Sequence, residues 1–217
     1  MARLRRGAVA GLTGTQADRD HWERVYTDRA PGEVSWYEAV PRWSLAAIDR
    51  LGLPLDAPII DVGGGASRLA EELLERGHTD ITVADISARA LERARESFAD
   101  ADQVEWVVAD VRDHDFGRRF ALWHDRGVFH FMVTPEDADG YLETLERSLE
   151  PGGHVVMATF GPHGPTRCSG LPVARYDADD LAATLGDGFE LMSSHLEDHI
   201  TPGRTVQQFL YAELASR

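Results

Sequence analysis

A glycine-rich turn after an apolar stretch is the part of this sequence best suited to ligand binding. The segment Ile59–Ser67 reads I-I-D-V-G-G-G-A-S, so Asp61 is followed closely by Gly63, Gly64 and Gly65. Glycine lets the backbone approach a ligand closely, and a following helix offers unpaired N–H groups. The dinucleotide pattern G-x-G-x-x-G is incomplete, because an arginine occupies its third glycine position. A carboxylate at the turn suits an ammonium or sulfonium better than a pyrophosphate, although a purely structural loop is the alternative.

Aspartates recur where predicted strands end. They follow four consecutive apolar runs, at Asp61, Asp85, Asp110 and Asp125. Ligands of open α/β sheets lie beyond the carboxyl ends of the strands, so we expect these side chains to share one crevice. Asp85 lies 24 positions after Asp61, about the separation at which such a carboxylate meets a ribose. Each aspartate taken singly could also be an ordinary turn or cap residue.

The elements that would position these residues alternate between strand and helix. Strands are predicted from apolar runs, and helices from helical spacing and capping residues. The predicted strands are 58–62, 81–84, 104–108, 121–124, 154–160, 189–195 and 205–212, and the predicted helices after the first strand are 67–76, 87–99, 135–149 and 178–185. The last two strands form a hairpin. We therefore expect an α/β fold, a Rossmann-like, mostly parallel seven-stranded sheet with a C-terminal antiparallel hairpin and helices on both faces.

The chain length favours one domain. Its 217 residues, 43% of them hydrophobic, are enough for a single α/β core. Residues 1–15 are predicted to be a disordered N-terminal tail, and residues 16–217 a single domain. Its first part, 16–52, contains two lid helices, predicted at 16–27 and 41–51.

Composition excludes several classes of function. The net charge is −15 and no lysine is present, which argues against nucleic acid as a partner and excludes lysine Schiff-base chemistry. A single cysteine, Cys168, forms no internal disulfide or iron–sulfur framework. No apolar run is long enough for a membrane span, so we expect a cytoplasmic protein without a membrane partner. No metal is expected, because His195 and His199 lack a third ligand.

The glycine turn and the aspartates resemble the class I S-adenosylmethionine-dependent methyltransferases. The first motif of that family looks like [DE]-x-G-x-G-x-G, and Asp61, Gly63 and Gly65 match it, with Ser67 where the last glycine usually lies. The resemblance implies S-adenosyl-L-methionine as cofactor and S-adenosyl-L-homocysteine as product. It implies further cofactor contacts: the ribose at Asp85, the adenine at Ile86, Asp110 and Val111, and the methionine portion at Asp125.

Two N-terminal segments narrow the resemblance. His21–Tyr26 and Ser35–Glu38 are similar to a subgroup that includes bacterial proteins of unassigned substrate and eukaryotic protein-lysine methyltransferases. By that resemblance Trp22, Tyr26 and Tyr37 fold over the cofactor. An aromatic lid excludes water and its ring faces attract a sulfonium. For Trp22 and Tyr26, packing in the core is the alternative.

Candidates for acceptor contacts lie after the fourth and fifth strands and in the N-terminal loop. They are His130, His163 and Trp36. A base is needed only if the acceptor arrives protonated, and His130 could equally be structural, so no catalytic base is assigned. Arg126 is interpreted as a contact to the cofactor carboxylate or to an anionic acceptor, with a simple ion pair as the alternative.

Three functions remain open at this stage. The preferred prediction is methyl transfer to a small-molecule nucleophile. The first alternative is methylation of a protein, in particular of lysine, because the acidic chain suits a basic target. The second is a non-catalytic nucleotide-binding module, since a fold alone does not establish chemistry.

Overall fold

The computed structural model describes residues 14–217 of the chain. Helices and strands alternate along this part in the following order: α1 (Gly14–Asp28), α2 (Arg42–Leu51), β1 (Ile59–Val62), α3 (Leu69–Glu75), β2 (Ile81–Asp85), α4 (Ala88–Ser97), β3 (Val104–Val108), β4 (Phe120–Arg126), α5 (Pro135–Ser148), β5 (Leu149–Phe160), β6 (Arg167–Cys168), β7 (Leu171–Pro172), α6 (Ala178–Leu185), β8 (Phe189–Ile200) and β9 (Val206–Ser216). The tail predicted at 1–15 lies outside the described residues, except for its last two positions, which begin α1.

Seven strands form one sheet in the order β3-β2-β1-β4-β5-β9-β8. The strands β1 to β5 are parallel to one another, and β9 is antiparallel to both β5 and β8. This confirms the predicted Rossmann-like α/β fold with its C-terminal antiparallel hairpin. The strand order reverses between β1 and β4, so the crevice beyond their carboxyl ends is the expected ligand position.

Helices cover both faces of the sheet. On one face α2, α3 and α4 pack Leu45, Leu69 and Leu91 against strand residues such as Ile59 and Ile81. On the other face, α5 and α6 contribute a second buried cluster, which contains Tyr141, Leu145, Leu181 and Leu185 of these helices and Trp123 of β4. Because both faces of the central strands are buried, β1 and β2 consist mostly of buried apolar residues, whereas the edge strands β3 and β8 also carry exposed polar residues.

Capping residues fix where the helices after β2 and β4 begin. The Ser87 Oγ accepts a hydrogen bond from Ala90 N, and the Thr134 Oγ1 accepts one from Asp137 N, directly before Pro135. These contacts satisfy N–H groups that the helices cannot. The helices therefore begin next to the carboxyl ends of the strands, where the candidate site residues lie.

The boundaries differ from the predictions at several points. The helix predicted from 67 begins at Leu69, because a short 3-10 turn, Gly64–Ala66, comes first and the Ser67 Oγ caps the helix at Leu69 N. The strand β5 begins at Leu149 instead of 154, since the register with β4 shifts and accommodates the Pro-Gly-Gly segment as a bulge. The final hairpin strands extend further than predicted, because their polar ends lack an alternating pattern.

Sequence analysis missed one small hairpin. It consists of β6 and β7, which are joined by Ser169 and Gly170. Both turn residues have positive φ, at 48° and 84°, as two-residue hairpins commonly require. The hairpin is relevant to function because Cys168, Leu171 and Pro172 line the cavity described below.

Candidate active site

A cavity of about 220 Å³ lies beyond the carboxyl ends of the parallel strands. Its lining has two ends of different chemistry. We call one the carboxylate end; its lining residues include Asp18, Asp85, Ile86, Asp110, Val111, Arg112 and Asp137. We call the other the aromatic end; its lining residues include Trp22, Tyr26, Trp36, Arg126, His130, Phe131, Phe160, Cys168 and Phe209. A smaller cavity of about 40 Å³ lies beside the glycine turn.

The glycine turn is packed so closely that side chains are excluded. Gly63 has a φ of +70°, and a Cβ there would overlap the Val128 side chain. A Cβ on Gly64 would overlap the carboxylate of Asp61, and one on Gly65 would lie 2.5 Å from the Ala90 Cβ. The backbone itself therefore forms the wall between the two cavities. Gly63 lines both of them.

Beneath the turn, Asp61 is held by a histidine from the neighbouring strand. Asp61 and His124 face each other in the β1–β4 register, and the His124 Nδ1 lies 2.7 Å from the Asp61 Oδ1. The His124 Nε2 lies 2.8 Å from the Ser44 Oγ of α2. Within residues 14–217 the buried Asp61 Oδ2 has no hydrogen-bond partner. His124 was missed by sequence analysis, although its position opposite Asp61 was a signal available once β1 and β4 were paired.

Asp85 connects the end of β2 to both neighbouring turns. Its Oδ2 accepts a hydrogen bond of 3.1 Å from Gly65 N, and its Oδ1 accepts one of 2.8 Å from Ser87 N. Burial raises the pKa of Asp85 to about 6, although the two backbone N–H groups act in the opposite direction. Asp85 and Ile86 both line the carboxylate end, at the position predicted for the cofactor nucleoside.

At the end of β3, one arginine joins three carboxylates. The Arg112 guanidinium donates to both oxygens of Asp110, at 2.9 and 2.7 Å, and to Asp18 of α1 and Asp137 of α5 at 2.9 Å each. These hydrogen bonds raise the pKa of Arg112, and the hydrogen bonds to Asp110 contribute most. Asp110 and Val111 line the carboxylate end as the sequence suggested. Arg112 was not predicted from the sequence, and its position two residues after Asp110 was the only signal.

The fourth strand-end aspartate has a different environment. Asp125 is fully buried and accepts hydrogen bonds from Val128 N, Phe129 N and the Tyr141 hydroxyl, at 2.8, 3.0 and 2.6 Å. Burial raises the pKa of Asp125 to about 6. Its side chain does not line either cavity. In this structure Asp125 holds the segment that carries His130, and direct contact with the cofactor stays a prediction.

The N-terminal aromatic residues lie over the cavity. Trp22 packs edge to face against Trp36 and Phe131, with ring centroids 5.7 and 5.2 Å apart, and Tyr26 is buried next to them. Tyr37 lines the smaller cavity instead. The helix α1 that carries Trp22 is joined to α4 by Glu23, which accepts hydrogen bonds from the first N–H groups of α4. Trp22 and Tyr26 thus pack among other aromatic side chains and also line the main cavity. That they fold over the cofactor stays a prediction.

Arg126 lies between the two cavities and lines both. Its Nη1 donates to Trp36 O at 2.7 Å, and its Nε lies 2.9 Å from the Tyr211 hydroxyl and 3.1 Å from Glu38 Oε2. The guanidinium stacks over the Phe209 ring at 4.9 Å. The remaining nitrogen, Nη2, is buried and has no partner within the described residues. Arg126 thus forms an ion pair with Glu38 and still has N–H groups on Nη2 that could donate to a ligand.

The histidines predicted near the acceptor have contrasting positions. His130 is buried in the aromatic end, where its ring lies 4.6 Å from that of Phe160, and neither ring nitrogen has a partner in residues 14–217. Burial, with a smaller contribution from Arg126, lowers the pKa of His130 to about 3. His163 is exposed, and it does not line the cavity. Burial also raises the pKa of the cavity-lining Cys168 to about 12.

The two C-terminal histidines have other contacts. His195 packs against Trp43, with ring centroids 3.7 Å apart, and the His199 Nε2 lies 2.9 Å from Ser35 O. Over the described range 14–217, no three His, Cys, Asp or Glu side chains are grouped so that they could hold a metal ion. None of the helices in this range combines the length and apolar character needed to cross a membrane.

Comparison with known proteins identifies relatives of this chain. The family model described as a methyltransferase domain matches residues 59–153. The chain is 28% identical over 202 residues to the 2-heptyl-1-hydroxyquinolin-4(1H)-one methyltransferase of Mycobacteroides abscessus, covering 81% of this chain and 86% of that protein. It is 25% identical over 207 residues to human EEF1A lysine methyltransferase 2, covering 86% and 78%.

A solved structure shares the fold. The S-adenosylmethionine-dependent methyltransferase from Anabaena variabilis superposes with a TM-score of 0.76 at 16% identity, covering 95% of this chain and 96% of that one. The similarity therefore extends beyond the matched domain to the N-terminal helices and the C-terminal hairpin. The domain match, the strand order and the glycine turn with its strand-end carboxylates lead to one conclusion: the chain contains a methyltransferase domain in a Rossmann-like fold and is a methyltransferase that uses S-adenosylmethionine as its cofactor.

Proposed function

We propose that this methyltransferase acts on a small-molecule nucleophile that binds in the aromatic end of the cavity. The observation that carries this proposal is the lining of that end. Trp22 and Trp36 of the N-terminal segment and Cys168 and Leu171 of the β6–β7 hairpin contribute mostly apolar surface to it. A concave, mostly apolar site with few polar groups is typical of small-molecule recognition.

The residues at the carboxylate end fit the cofactor. The glycine turn leaves room only for backbone, so a ligand can lie directly against it. We assign the cofactor ribose to Asp85 and the adenine to Ile86, Asp110 and Val111, which line the carboxylate end. We assign the ammonium to Asp61, which lines the smaller cavity and whose Oδ2 has no partner among the described residues. When bound, the cofactor supplies a methyl group on a positively charged sulfur. The side chains of this end need only bind and orient it.

Electrostatics at the aromatic end argue against a cationic acceptor. Of the carboxylates that line the main cavity, Asp18, Asp110 and Asp137 are bound by Arg112, and Asp85 is bound by two backbone N–H groups. The charged group at the aromatic end is Arg126, a cation. A lysine ammonium would therefore meet like charge and no free carboxylate there.

Protein lysine methylation is the second candidate function. The observation that favours it is the similarity to a human lysine methyltransferase over 86% of this chain. The quinolone-type relative, whose name specifies a small aromatic acceptor, covers a comparable 81% at slightly higher identity. Sequence similarity thus permits both acceptors, and the preference for a small molecule depends on the mostly apolar aromatic end and on the positive charge of Arg126 there.

The test is the fate of a labelled methyl group. The purified chain is incubated with methyl-labelled S-adenosylmethionine and a bacterial lysate, and the small-molecule and protein fractions are counted separately. We expect label in the small-molecule fraction, and no label above background with the Asp85→Ala variant. Label confined to protein, and recovered as methyllysine after hydrolysis, would establish the second candidate instead.

A further inference from the structure

We propose that the acceptor is an aromatic or heteroaromatic compound whose nucleophile is an acidic hydroxyl group, bound as its oxyanion between Arg126 and His130. This inference rests on the proposed small-molecule function and specifies the chemical class of its substrate. It depends on three features of the aromatic end: its walls, its unpartnered polar atoms, and the groups there that could accept a proton.

The walls favour an aromatic ligand. Trp22, Trp36 and Phe131 form one connected group of rings, and Phe160 and Phe209 form another, with centroids 4.8 Å apart. Aromatic rings gain about 0.5–1.5 kcal/mol from stacked or edge-to-face partners beyond simple burial. A flat ring system therefore uses these walls better than an aliphatic chain of similar size.

The unpartnered nitrogen atoms favour a ligand that can accept hydrogen bonds. The Arg126 Nη2 and both ring nitrogens of His130 are buried without partners among the described residues, and both residues line the main cavity. Leaving a buried donor unpaired costs about 1–3 kcal/mol, and more for a charged group. An oxyanion satisfies the guanidinium N–H and one imidazole N–H together, and charge-assisted bonds of this kind are the stronger ones.

The carboxylates near Arg126 leave this donor available. Glu38 pairs with its Nε on the side of the smaller cavity, and Glu197 contributes to the same local charge. Neither of these glutamates lines the main cavity. Among the described residues, Arg126 therefore lines the main cavity with its Nη2 unpartnered, and neither glutamate is part of the lining of that cavity.

The titratable groups at the aromatic end do not supply a base. Burial lowers the pKa of His130 to about 3 and raises the pKa of Cys168 to about 12, so His130 stays neutral and Cys168 stays protonated near pH 7. An acceptor that arrives as its oxyanion requires no base. Its oxygen forms the new bond to the methyl carbon, the carbon–sulfur bond breaks with its electron pair remaining on sulfur, and no proton moves.

Three probes that share one ring test this directly. They are 4-nitrophenol, 4-nitroaniline and 4-nitrobenzylamine, which present an acidic hydroxyl, a neutral amine and an ammonium. Each is titrated into the protein saturated with S-adenosylhomocysteine, at a pH below the pKa of the free phenol. We expect 4-nitrophenol to bind at least about tenfold more tightly than the other two. Its absorption should also shift to that of the phenolate.

Matched variants locate the effect. His130→Phe keeps the ring and removes the nitrogens, so we expect about a tenfold loss of 4-nitrophenol affinity with unchanged affinity for S-adenosylhomocysteine. Arg126→Met should return the bound probe to its neutral spectrum. His163→Phe, at an exposed position outside the cavity, is the control and should change neither value.

The outcomes separate this inference from the proposed function. Preferential binding of 4-nitroaniline, or a phenol that binds without the phenolate spectrum, would overturn the oxyanion class while leaving a small-molecule acceptor in place. Preferential binding of the ammonium probe, together with methylation of a lysine peptide, would overturn both. Binding of S-adenosylhomocysteine is measured first, so cofactor binding is established independently of either result.

Discussion

The two ends of the cavity recognise ligands by different means. At the carboxylate end, Asp85 and Asp110 are already hydrogen-bonded to backbone or to Arg112, so the site is preorganised before a ligand arrives. At the aromatic end, Arg126 and His130 retain buried polar atoms that have no partner within residues 14–217. Preorganised groups fix the orientation of a constant ligand, whereas unsatisfied groups discriminate between alternative ligands because a poor match leaves them unpaired.

This difference corresponds to the two tasks of a methyltransferase. Every reaction uses the same cofactor, and the end that we assign to it is built from a turn and from aspartates at strand ends. The acceptor varies among relatives, and the end assigned to it is built from the lid, the segment after β4 and the β6–β7 hairpin. The comparison predicts that changes at the carboxylate end affect cofactor binding, while changes at the aromatic end spare it.

The largest effect is expected at the glycine turn. In Gly64→Ala the new methyl would overlap the Asp61 carboxylate, which His124 holds in place and which therefore cannot easily move away. We expect no measurable binding of S-adenosylhomocysteine by calorimetry, and a loss of about 1–3 kcal/mol in the free energy of unfolding. Gly32→Ala is the matched control, because a methyl at Gly32 meets open space. Normal cofactor binding by Gly64→Ala would show that the turn is not a tight ligand wall.

The next largest effect is expected at the ribose position. Asp85→Ala removes the carboxylate that faces the cavity and also leaves Gly65 N and Ser87 N without their acceptor. We expect roughly a 100-fold weaker affinity for S-adenosylhomocysteine with the fold retained, measured by calorimetry and circular dichroism. Asp80→Ala, just before the opposite end of β2, is the control. Unchanged affinity in Asp85→Ala would mean that the ribose binds elsewhere.

A smaller effect is expected at the arginine that joins the lid to the sheet. Arg112→Met leaves Asp18, Asp110 and Asp137 without their shared cation. We expect roughly tenfold weaker cofactor binding and faster amide exchange in α1, because the lid loses its contact with the carboxylate end. Arg118→Met breaks a more exposed ion pair with Asp80 and should change neither measurement. If the two variants had the same cofactor affinity and the same amide exchange in α1, Arg112 would not be what attaches the lid to the sheet.

The smallest expected effect is a dependence of cofactor affinity on pH. Burial raises the pKa of Asp85 to about 6 in the free protein, and ribose hydroxyl donors favour its charged form. Affinity for S-adenosylhomocysteine should therefore be constant above pH 6 and fall severalfold as pH decreases through about 6. Calorimetry across this range in wild type and Asp85→Asn provides the test. A pH dependence that survives in the variant would have to originate from another group.

Local sequence was sufficient to predict where aspartates lie at the ends of the parallel strands. Asp61, Asp85 and Asp110 were predicted because each follows an apolar run, and parallel strands bring their carboxyl ends to one edge. Asp125 followed the same pattern, yet its oxygens are used by the turn after β4 and by Tyr141. The pattern specifies where a carboxylate lies along a strand, and it does not specify which way the neighbouring backbone donors point.

The aromatic end was only partly predictable. Trp22, Trp36 and His130 were named as candidates, but His163, from the loop after β5, lies outside the cavity. The β6–β7 hairpin was missed, because two-residue strands leave no periodic signal. The hairpin lines the cavity because the chain folds back over the carboxyl ends of the strands after β5, and this path depends on the tertiary structure.

The sequence by itself determined the α/β class, the glycine turn and the strand-end aspartates, because hydrophobic periodicity and backbone preference act over a few neighbouring residues. Only the tertiary structure decided that His124 supports Asp61 and that Arg112 joins the lid to the sheet. It also decided that burial lowers the pKa of His130 and leaves its ring nitrogens without partners among the described residues. These properties depend on strand order, on partners far apart in the chain and on burial, which no short window of sequence contains.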